Sequence, residues 1–278
     1  MERKAVRVVE GMETHDGAGV KLLRIMGQPD LDQLDPFLLL DEFKSENRDD
    51  YIAGFPPHPH RGFETVTYMK YGKFRHRDSR GNEGLLNDGS VQWMTAGRGI
   101  IHSEMPEMSD GLLWGYQLWI NLPAKLKMIE AGYQDISREE MPVVEDGKAK
   151  VKIISGEFHG KKGPARNRLP FDYFDVEVEE NGSFETPAPA ERSAMVYLYE
   201  GSLEGLDKFG QVKEGNLIIF GEGDSLKIKA GSNGAGFLFF SADRIGEPVA
   251  RGGPFVMNTR EEVLQAFADF QAGRLGRY

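Results

Sequence analysis

The sequence contains no cysteine. Disulfide bonds and thiol chemistry are therefore excluded, and a structural zinc site is disfavoured because such sites usually rely on thiolate ligands. The chain also lacks any run of eighteen apolar residues, and residues 1–9 contain no apolar signal core. We therefore expect a cytoplasmic protein that makes no membrane contact.

Basic residues are scarce relative to acidic ones. Lysine and arginine number 34 against 44 aspartates and glutamates, which gives a formal net charge of −10. An acidic chain gains little counterion-release affinity for nucleic acid unless its cations cluster. The densest basic run, residues 73–77 with Arg80, is typical of a solvated hairpin loop. We expect no direct binding of nucleic acid.

Histidine is rare as well, and none follows residue 159. Alternate residues of a strand share one face, so His58 and His60 can reach the same point. Glu64 has their parity, and His102 and Glu104 repeat the arrangement forty residues later. Neutral imidazoles and a carboxylate suit a divalent first-row metal such as iron, copper, nickel or zinc. Two of six octahedral positions would stay open for water, substrate or dioxygen.

The competing interpretation is structural. A histidine on a strand is commonly a hydrogen-bonded structural residue, and one His-x-His pair is a weak metal signal. Three of the six histidines nevertheless fall in two short segments, each with glycine or proline near a strand end. The metal interpretation is therefore favoured, and a metal-free β scaffold remains the alternative.

The remaining composition favours β-structure. Thirty-four glycines and fourteen prolines are spread along the chain, which indicates many turns and short strands. Strand-like segments occur in both halves with similar number and spacing, and this favours an internal repeat of one β unit. We predict strands at residues 4–9, 20–26, 36–41, 58–71, 91–95, 100–104, 111–121, 150–158, 171–179, 194–200, 216–220, 225–230 and 236–241.

Helices are few in this prediction. Residues 123–130 favour a short helix, and residues 137–140 have capping-box spacing for a single turn. Near the C-terminus, a cap at Asn258 or Thr259 precedes an amphipathic helix that ends near Gly273. Its apolar face would consist of Val263, Phe267 and Phe270.

The two halves differ in chemistry, because the second cannot supply histidine ligands. A duplicated barrel with one functional pocket and one blank pocket is the simplest account. We expect a metal-binding domain at residues 1–130, a connector at 131–148, and a second domain without ligands at 149–278 that ends in the helix.

Two long segments resemble the pirin family. They are residues 57–68 (PHPHRGFETVTY) and 91–106 (VQWMTAGRGIIHSEMP), and residues 253–258 (GPFVMN) extend the resemblance towards the C-terminus. The resemblance implies an all-β bicupin fold, in which two tandem antiparallel cupin β-barrels carry a few short helices and a C-terminal helix. It also implies one divalent metal per chain, usually iron, in the N-terminal barrel, with copper, nickel, manganese or zinc as alternatives.

Carried over to this sequence, the ligands of the pirin family fall on His58, His60, His102 and Glu104. In the broader cupin pattern, a glutamate at the place of Glu64 is a ligand instead. The resemblance to pirins gives Glu64 a role beside the ligands or in the cavity, although strand parity alone does not separate the two glutamates.

Two other residues are candidates for contact with the ligands or with substrate. His76 belongs to a segment that could fold over the barrel mouth, and Arg61 directly follows a predicted ligand. For Arg61 a structural salt bridge is the favoured interpretation. Residues 111–121 are apolar on both strand faces, so this segment lies in a core or lines a cavity.

The resemblance implies two functions from different classes. The first is a dioxygenase that opens flavonols of the quercetin type, small aromatic substrates, with Glu104 as the candidate base. The second is a non-catalytic metal- or redox-sensing protein that binds a transcription factor or a metabolic enzyme. We favour the enzyme because open coordination positions are needless in a purely structural site, and we expect a monomer.

Overall fold

The computed structural model describes residues 1–276, which form antiparallel β-strands almost throughout. In chain order, the strands are Ala5–Glu10 (β1), Met12–Asp16 (β2), Val20–Met26 (β3), Phe37–Ser45 (β4), Phe55–His60 (β5), Phe63–Tyr71 (β6), Phe74–Asp78 (β7), Glu83–Leu86 (β8), Val91–Thr95 (β9), Ile100–Pro106 (β10), Leu113–Asn121 (β11), Gly132–Ile136 (β12), Val143–Asp146 (β13), Ala149–Ser155 (β14), Glu157–Phe158 (β15), Lys161–Lys162 (β16), Phe171–Val178 (β17), Ser183–Pro187 (β18), Arg192–Glu204 (β19), Val212–Lys213 (β20), Asn216–Phe220 (β21), Ser225–Asp243 (β22), Ala250–Gly252 (β23) and Phe255–Met257 (β24).

Helical structure is limited, as the sequence predicts. Within the described residues there is one α-helix, Arg260–Gln271 (α1), and none of the helices is both long and apolar enough to cross a membrane. Short 3₁₀ turns lie at Arg48–Asp50, Ala124–Leu126, Arg138–Glu140 and Asp207–Phe209. The predicted mostly-β fold with a C-terminal helix is confirmed.

The chain forms two compact units, each assembled from several segments. The first unit carries the predicted metal ligands, and the second is built mainly from the second half of the chain. The first unit comprises Glu13–Gly27, Asp35–Arg138 and the chain from Ile245 onward; the second comprises Met1–Met12, Gln28–Leu34 and Glu139–Arg244.

These units differ from the contiguous domains that we expected. Residues 1–12 belong to the second unit, and the chain from residue 245 onward belongs to the first. Strand β1 pairs with β21 in the second unit, where Val8 lies opposite Ile218. In the first unit, Phe255 of β24 forms a bridge with Arg61, which directly follows β5. A strand's local pattern records which face is buried but not which distant strand it pairs with. Composition and residue spacing therefore could not predict which unit each end of the chain joins.

Two sheets make up most of the first unit. One has the strand order β12-β9-β6-β11-β4-β3-β2, and the other has the order β5-β10-β7-β8. Buried residues from both sheets pack into a common cluster, including Leu22 and Phe43 from the first and Phe74 and Leu86 from the second. The site is built where β5, β10 and β7 of the smaller sheet meet β6 and β11 of the larger one.

The second unit is a nine-stranded antiparallel sheet with a core rich in phenylalanine. Strand β22 is continuous, whereas we predicted two strands at 225–230 and 236–241. Against β19, Gly201 pairs with Ala235 and Leu203 pairs with Ala230, so residues 231–234 bulge out between these pairs. The Gly-Ser-Asn-Gly sequence resembles a turn but forms a bulge within one strand.

The basic run at residues 73–77 is a strand rather than the expected solvated loop. Strand β7 lies between β10 and β8, with Phe74 and His76 buried on its inner side. Arg75 and Arg77 alternate with them and form ion pairs with Glu83 on β8. Neighbouring carboxylates therefore pair with these cations. The alternation of buried side chains with arginines is typical of a strand, and the sequence analysis overlooked this signal.

The predicted start of the C-terminal helix is confirmed. Thr259 caps α1 and forms a capping box with Glu262. Val263 is buried, but Phe270 is 39% exposed, so the predicted apolar face is only partly covered. The buried guanidinium of Arg61 donates to Asp269 of α1 at 2.8 Å and to the carbonyl of Arg98 at 2.7 Å.

Lys127 is a buried cation that holds three segments of the first unit together. Its ammonium group donates to the carbonyls of Gly62 (2.8 Å) and Val256 (3.0 Å) and to the side-chain oxygen of Asn121 (2.6 Å). All three N–H groups therefore have acceptors. Burial lowers the pKa of Lys127 to about 8.

Replacing Lys127 with methionine should destabilise the protein by about 3 kcal/mol, because three buried acceptors lose their donor. Urea denaturation measures this change in the free energy of unfolding. Lys125→Met, at an exposed position of the same turn, is the matched control and should change stability by less than about 0.5 kcal/mol. Equal stability of the two variants would contradict the role of Lys127.

The Arg61–Asp269 pair predicts a pH dependence. The hydrogen bond from Arg61 lowers the pKa of Asp269 from 3.8 to about 2. A carboxylate with a depressed folded-state pKa stabilises the fold above its unfolded pKa and loses this contribution as the pH falls. Asp269→Asn should therefore be less stable than wild type by about 1–2 kcal/mol at pH 7. Denaturation curves should show the difference closing between about pH 4 and pH 2, and a constant difference would contradict this account.

Candidate metal centre

Three imidazoles converge on one side of the smaller sheet. His58 and His60 lie two residues apart on β5, and His102 on β10 is the cross-strand partner of His58. The ring centroids are 4.7 Å apart for His58 and His60, 4.4 Å for His58 and His102, and 5.0 Å for His60 and His102. One ligand nitrogen from each residue lies within 4.8 Å of the others.

The cluster leaves buried nitrogen atoms without hydrogen-bond partners. His60 and His102 are each 2% exposed. Neither nitrogen of His60 makes a hydrogen bond of normal geometry, although the Pro254 carbonyl is close enough to raise its pKa slightly. Nε2 of His102 is also unpartnered. Buried polar atoms are normally satisfied, so these nitrogens require an explanation.

The protonation state of the cluster suits a metal. Burial lowers the pKa of His60 and His102 well below the ordinary histidine value, and neighbouring imidazoles lower it further. Nδ1 of His58 donates to the Pro56 carbonyl at 2.8 Å, which leaves Nε2 of that ring with a lone pair. His60 and His102 are therefore neutral and each has a nitrogen without a protein partner, and together with Nε2 of His58 they fit a divalent transition metal.

Glu104, the fourth predicted ligand, lies beside this cluster but not within it. It is buried on β10, two residues after His102. Its carboxylate accepts hydrogen bonds from the hydroxyl of Thr67 (2.8 Å) and the amide of Gln117 (2.9 Å). The structure therefore brings three of the four predicted ligands together and holds the carboxylate next to them.

Two residues of this site, Thr67 and Gln117, were missed by the sequence reasoning, whereas Trp119 belongs to the segment that was expected to lie in a core or line a cavity. Thr67 of β6 lies opposite Gln117 of β11, so both project from the same face as Trp119. Trp119 donates through its indole N–H to the Gln117 side-chain oxygen at 3.1 Å, and its ring packs against His60 with centroids 5.1 Å apart. The sequence did contain a signal for Gln117. It is a polar residue in an otherwise apolar strand, and it lies two residues before Trp119, so both side chains are on the same face.

The other candidates are distributed differently. His76 on β7 is buried, and its Nδ1 lies 3.4 Å from Nδ1 of His102, so it lies next to a predicted ligand. Glu64 projects from the opposite face of β6, where it pairs with Ile120 and accepts a hydrogen bond from Thr95 at 2.5 Å. Strand parity was misleading for Glu64 because Gly62, with φ +91°, redirects the chain between β5 and β6.

Arg61 does not serve the predicted role of a substrate contact. Its guanidinium is 2% exposed and is engaged by the helix carboxylate and the Arg98 carbonyl described above. The structural salt bridge was the favoured interpretation of this residue, and the structure agrees with it.

A separate open groove, with a volume of about 910 Å³, lies in the second unit. Its charged groups are largely paired with one another. His159 faces Asp146 at 3.4 Å, and Lys227 forms an ion pair with Glu185. Among the described residues, no second cluster of metal-ligating side chains accompanies this groove.

Comparison with known proteins identifies the family. The sequence matches the profile of the pirin family over residues 19–120 and that of the pirin C-terminal cupin domain over residues 173–276. The chain belongs to the pirin family. A pirin-like protein of Caulobacter vibrioides is 46% identical over 98% of this chain and 99% of its own length.

Solved structures confirm the bicupin fold of this pirin. A quercetin 2,3-dioxygenase from Acinetobacter baumannii has a TM-score of 0.91 and 30% sequence identity, and the match covers 99% of both chains. A pirin of Escherichia coli, solved in complex with nickel(II), has a TM-score of 0.68 over 86% of this chain and 99% of its own. That protein is 19% identical, so its likeness bears on the fold alone.

Removing a ligand should separate metal binding from stability. In His60→Leu, a buried imidazole with unpartnered nitrogens is replaced by an apolar side chain of similar volume. The metal-free variant should therefore be as stable as wild type to within about 1 kcal/mol, or more stable. We expect Ni²⁺ to raise the melting temperature of wild type but not that of this variant, as measured by scanning calorimetry.

His159→Ala is the control for this experiment, because His159 is exposed and lies outside the cluster. This variant should keep the full response to Ni²⁺. A response retained in His60→Leu would contradict the assignment of the cluster as a metal centre.

Proposed function

We propose that this pirin binds one divalent metal, iron, through His58, His60, His102 and Glu104, and that it is a dioxygenase that opens flavonols of the quercetin type. The observation that carries the proposal is a cluster of three imidazoles, two of them buried with unpartnered nitrogens, beside a buried carboxylate. The 30% identity to a quercetin 2,3-dioxygenase over nearly the whole chain supports the choice of reaction.

A bound divalent metal supplies Lewis acidity towards a substrate hydroxyl and redox chemistry towards dioxygen. The three neutral histidines would hold it without adding charge, so the metal would keep most of its positive charge. Together with Glu104 they would supply at most four ligands. Positions left open on the metal would suit catalysis, because a structural site is normally closed by protein ligands.

Glu104 is suited to accept the proton of a substrate hydroxyl. Thr67 and Gln117 each donate to a different carboxylate oxygen, so each oxygen keeps lone pairs for a further hydrogen bond. The Gln117 amide cannot reverse freely, because Trp119 donates to its oxygen and thereby directs its NH₂ group towards Glu104. The carboxylate is therefore held by groups on β6 and β11 instead of rotating freely.

The same face supplies an aromatic wall for a flat substrate. The rings of Phe63 and Trp119 lie 4.5 Å apart, and each also contacts the ring of His60. Trp119 is only half-buried, so part of its surface is open. Aromatic ligands are bound well by such a wall beside a few placed polar groups.

The proposal is tested with protein loaded separately with iron, copper, nickel and manganese and supplied with quercetin under oxygen. Loss of flavonol absorbance, with both atoms of ¹⁸O₂ recovered in the ring-opened product, is the expected result with iron. No turnover with any of the four metals, in protein that carries one metal per chain, would contradict the enzymatic proposal. The non-catalytic metal- or redox-sensing function would then be favoured.

Glu104→Gln tests the proposed base. Turnover should fall at least about 100-fold, because the amide cannot accept the hydroxyl proton. The three histidines should still retain metal, as measured by elemental analysis. Glu64→Gln replaces a buried carboxylate on the opposite face of β6 and should keep turnover within about threefold of wild type. Equal losses in the two variants would argue against a specific role for Glu104.

A further inference from the structure

His76 occupies an unusual position, because a nitrogen of its ring lies within hydrogen-bonding distance of a predicted metal ligand. Its Nδ1 lies 3.4 Å from Nδ1 of His102, and the two ring centroids are 5.2 Å apart. Both side chains are 2% exposed, so water does not readily replace this contact. The ring of His76 also packs against Tyr133, and the two ring centroids are 4.6 Å apart.

The contact permits only one productive arrangement of protons. Neutral imidazole carries a single N–H, so a hydrogen bond between the two Nδ1 atoms requires one of them to donate and the other to accept. If His76 donated, the proton of His102 would sit on Nε2, and no lone pair would face the neighbouring imidazoles. If His102 donates, its Nε2 keeps a lone pair, and the proton of His76 sits on that residue's own Nε2.

We propose that His76 is a positioning residue that fixes the tautomer of His102 by accepting its Nδ1–H, and thereby keeps Nε2 of His102 free to bind the metal. This inference rests on the metal-binding part of the proposed function. It assigns to an imidazole the task that a carboxylate, a carbonyl or a water usually performs for a metal-bound histidine.

Strand pairing restrains the geometry of this contact, because β7 and β10 are in register with Glu104 opposite His76 and His102 opposite Asp78. The accepting state is therefore held by the backbone positions of the two rings, although it leaves the Nε2–H of His76 buried without a hydrogen-bond partner.

The same task is performed by a backbone group at His58. For His58, the Pro56 carbonyl accepts from Nδ1 at 2.8 Å, and a carbonyl can only accept. For His102 the acceptor is a side chain, so it can be changed without altering the backbone. The cluster therefore offers a direct experiment on one ligand, with a second ligand as an internal reference.

The decisive measurement is ¹⁵N NMR of the histidine rings in the metal-free protein, with His102 assigned through the loss of its signals in His102→Gln. In wild type, the proton of His102 should lie on Nδ1. A wild-type proton on Nε2 would overturn the proposal. Because the measurement needs neither metal nor substrate, it is independent of turnover.

Two variants at position 76 sharpen the test. His76→Phe keeps a ring of similar size against Tyr133 but removes the acceptor, so His102 should lose its preference for the Nδ1–H form. Affinity for Ni²⁺, measured by calorimetric titration, should fall about 10- to 100-fold. His76→Asn places an oxygen near the former Nδ1 and should restore the tautomer and bring the affinity to within about threefold of wild type.

The outcomes distinguish this inference from the proposed function. A purely packing role for His76 predicts that His76→Phe is the better-tolerated variant, and that result would overturn the inference. A wild-type protein with Nδ1–H on His102 but no metal uptake would refute the metal site and leave the hydrogen bond standing. Metal uptake without flavonol turnover would refute only the reaction.

Discussion

The site depends on imidazoles that are buried without enough hydrogen-bond partners. Leaving a polar nitrogen unsatisfied in a protein interior costs about 1–3 kcal/mol, and this cluster contains several such atoms. The surrounding fold keeps them together because β5 and β10 pair directly and His58 faces His102 across that pair. A site that is unfavourable for the metal-free fold is expected where function rather than stability determines the side chains.

The fold supports this arrangement from two directions. The smaller sheet carries the histidines, and the larger sheet supplies Thr67, Gln117 and Trp119, which hold Glu104 beside them. The C-terminal segment returns to the same unit, where α1 is tied by Asp269 to the arginine that follows β5. The strand that carries two of the three histidines is therefore anchored at its end by a residue more than two hundred positions away in the chain.

Part of the fold and of the site could be predicted from the sequence. The features that could not be predicted all depend on pairing between distant strands. The shared face of His58 and His60 followed from two-residue periodicity, and the start of α1 followed from its capping box, because both are local patterns. The exchange of chain ends, the continuity of β22 and the contacts of Glu104 depend on which strands pair over long distances. Local patterns do not contain that information, and the pirin resemblance supplied only the ligand positions and the bicupin fold.

The central claim is that the three imidazoles bind one metal ion. Anomalous scattering at transition-metal absorption edges, from crystals grown without added metal, tests it most directly. We expect one strong peak per chain, within coordination distance of His58, His60 and His102, with its maximum signal at the iron edge. A crystal with no peak there, and with water molecules hydrogen-bonded to the three rings instead, would contradict the account.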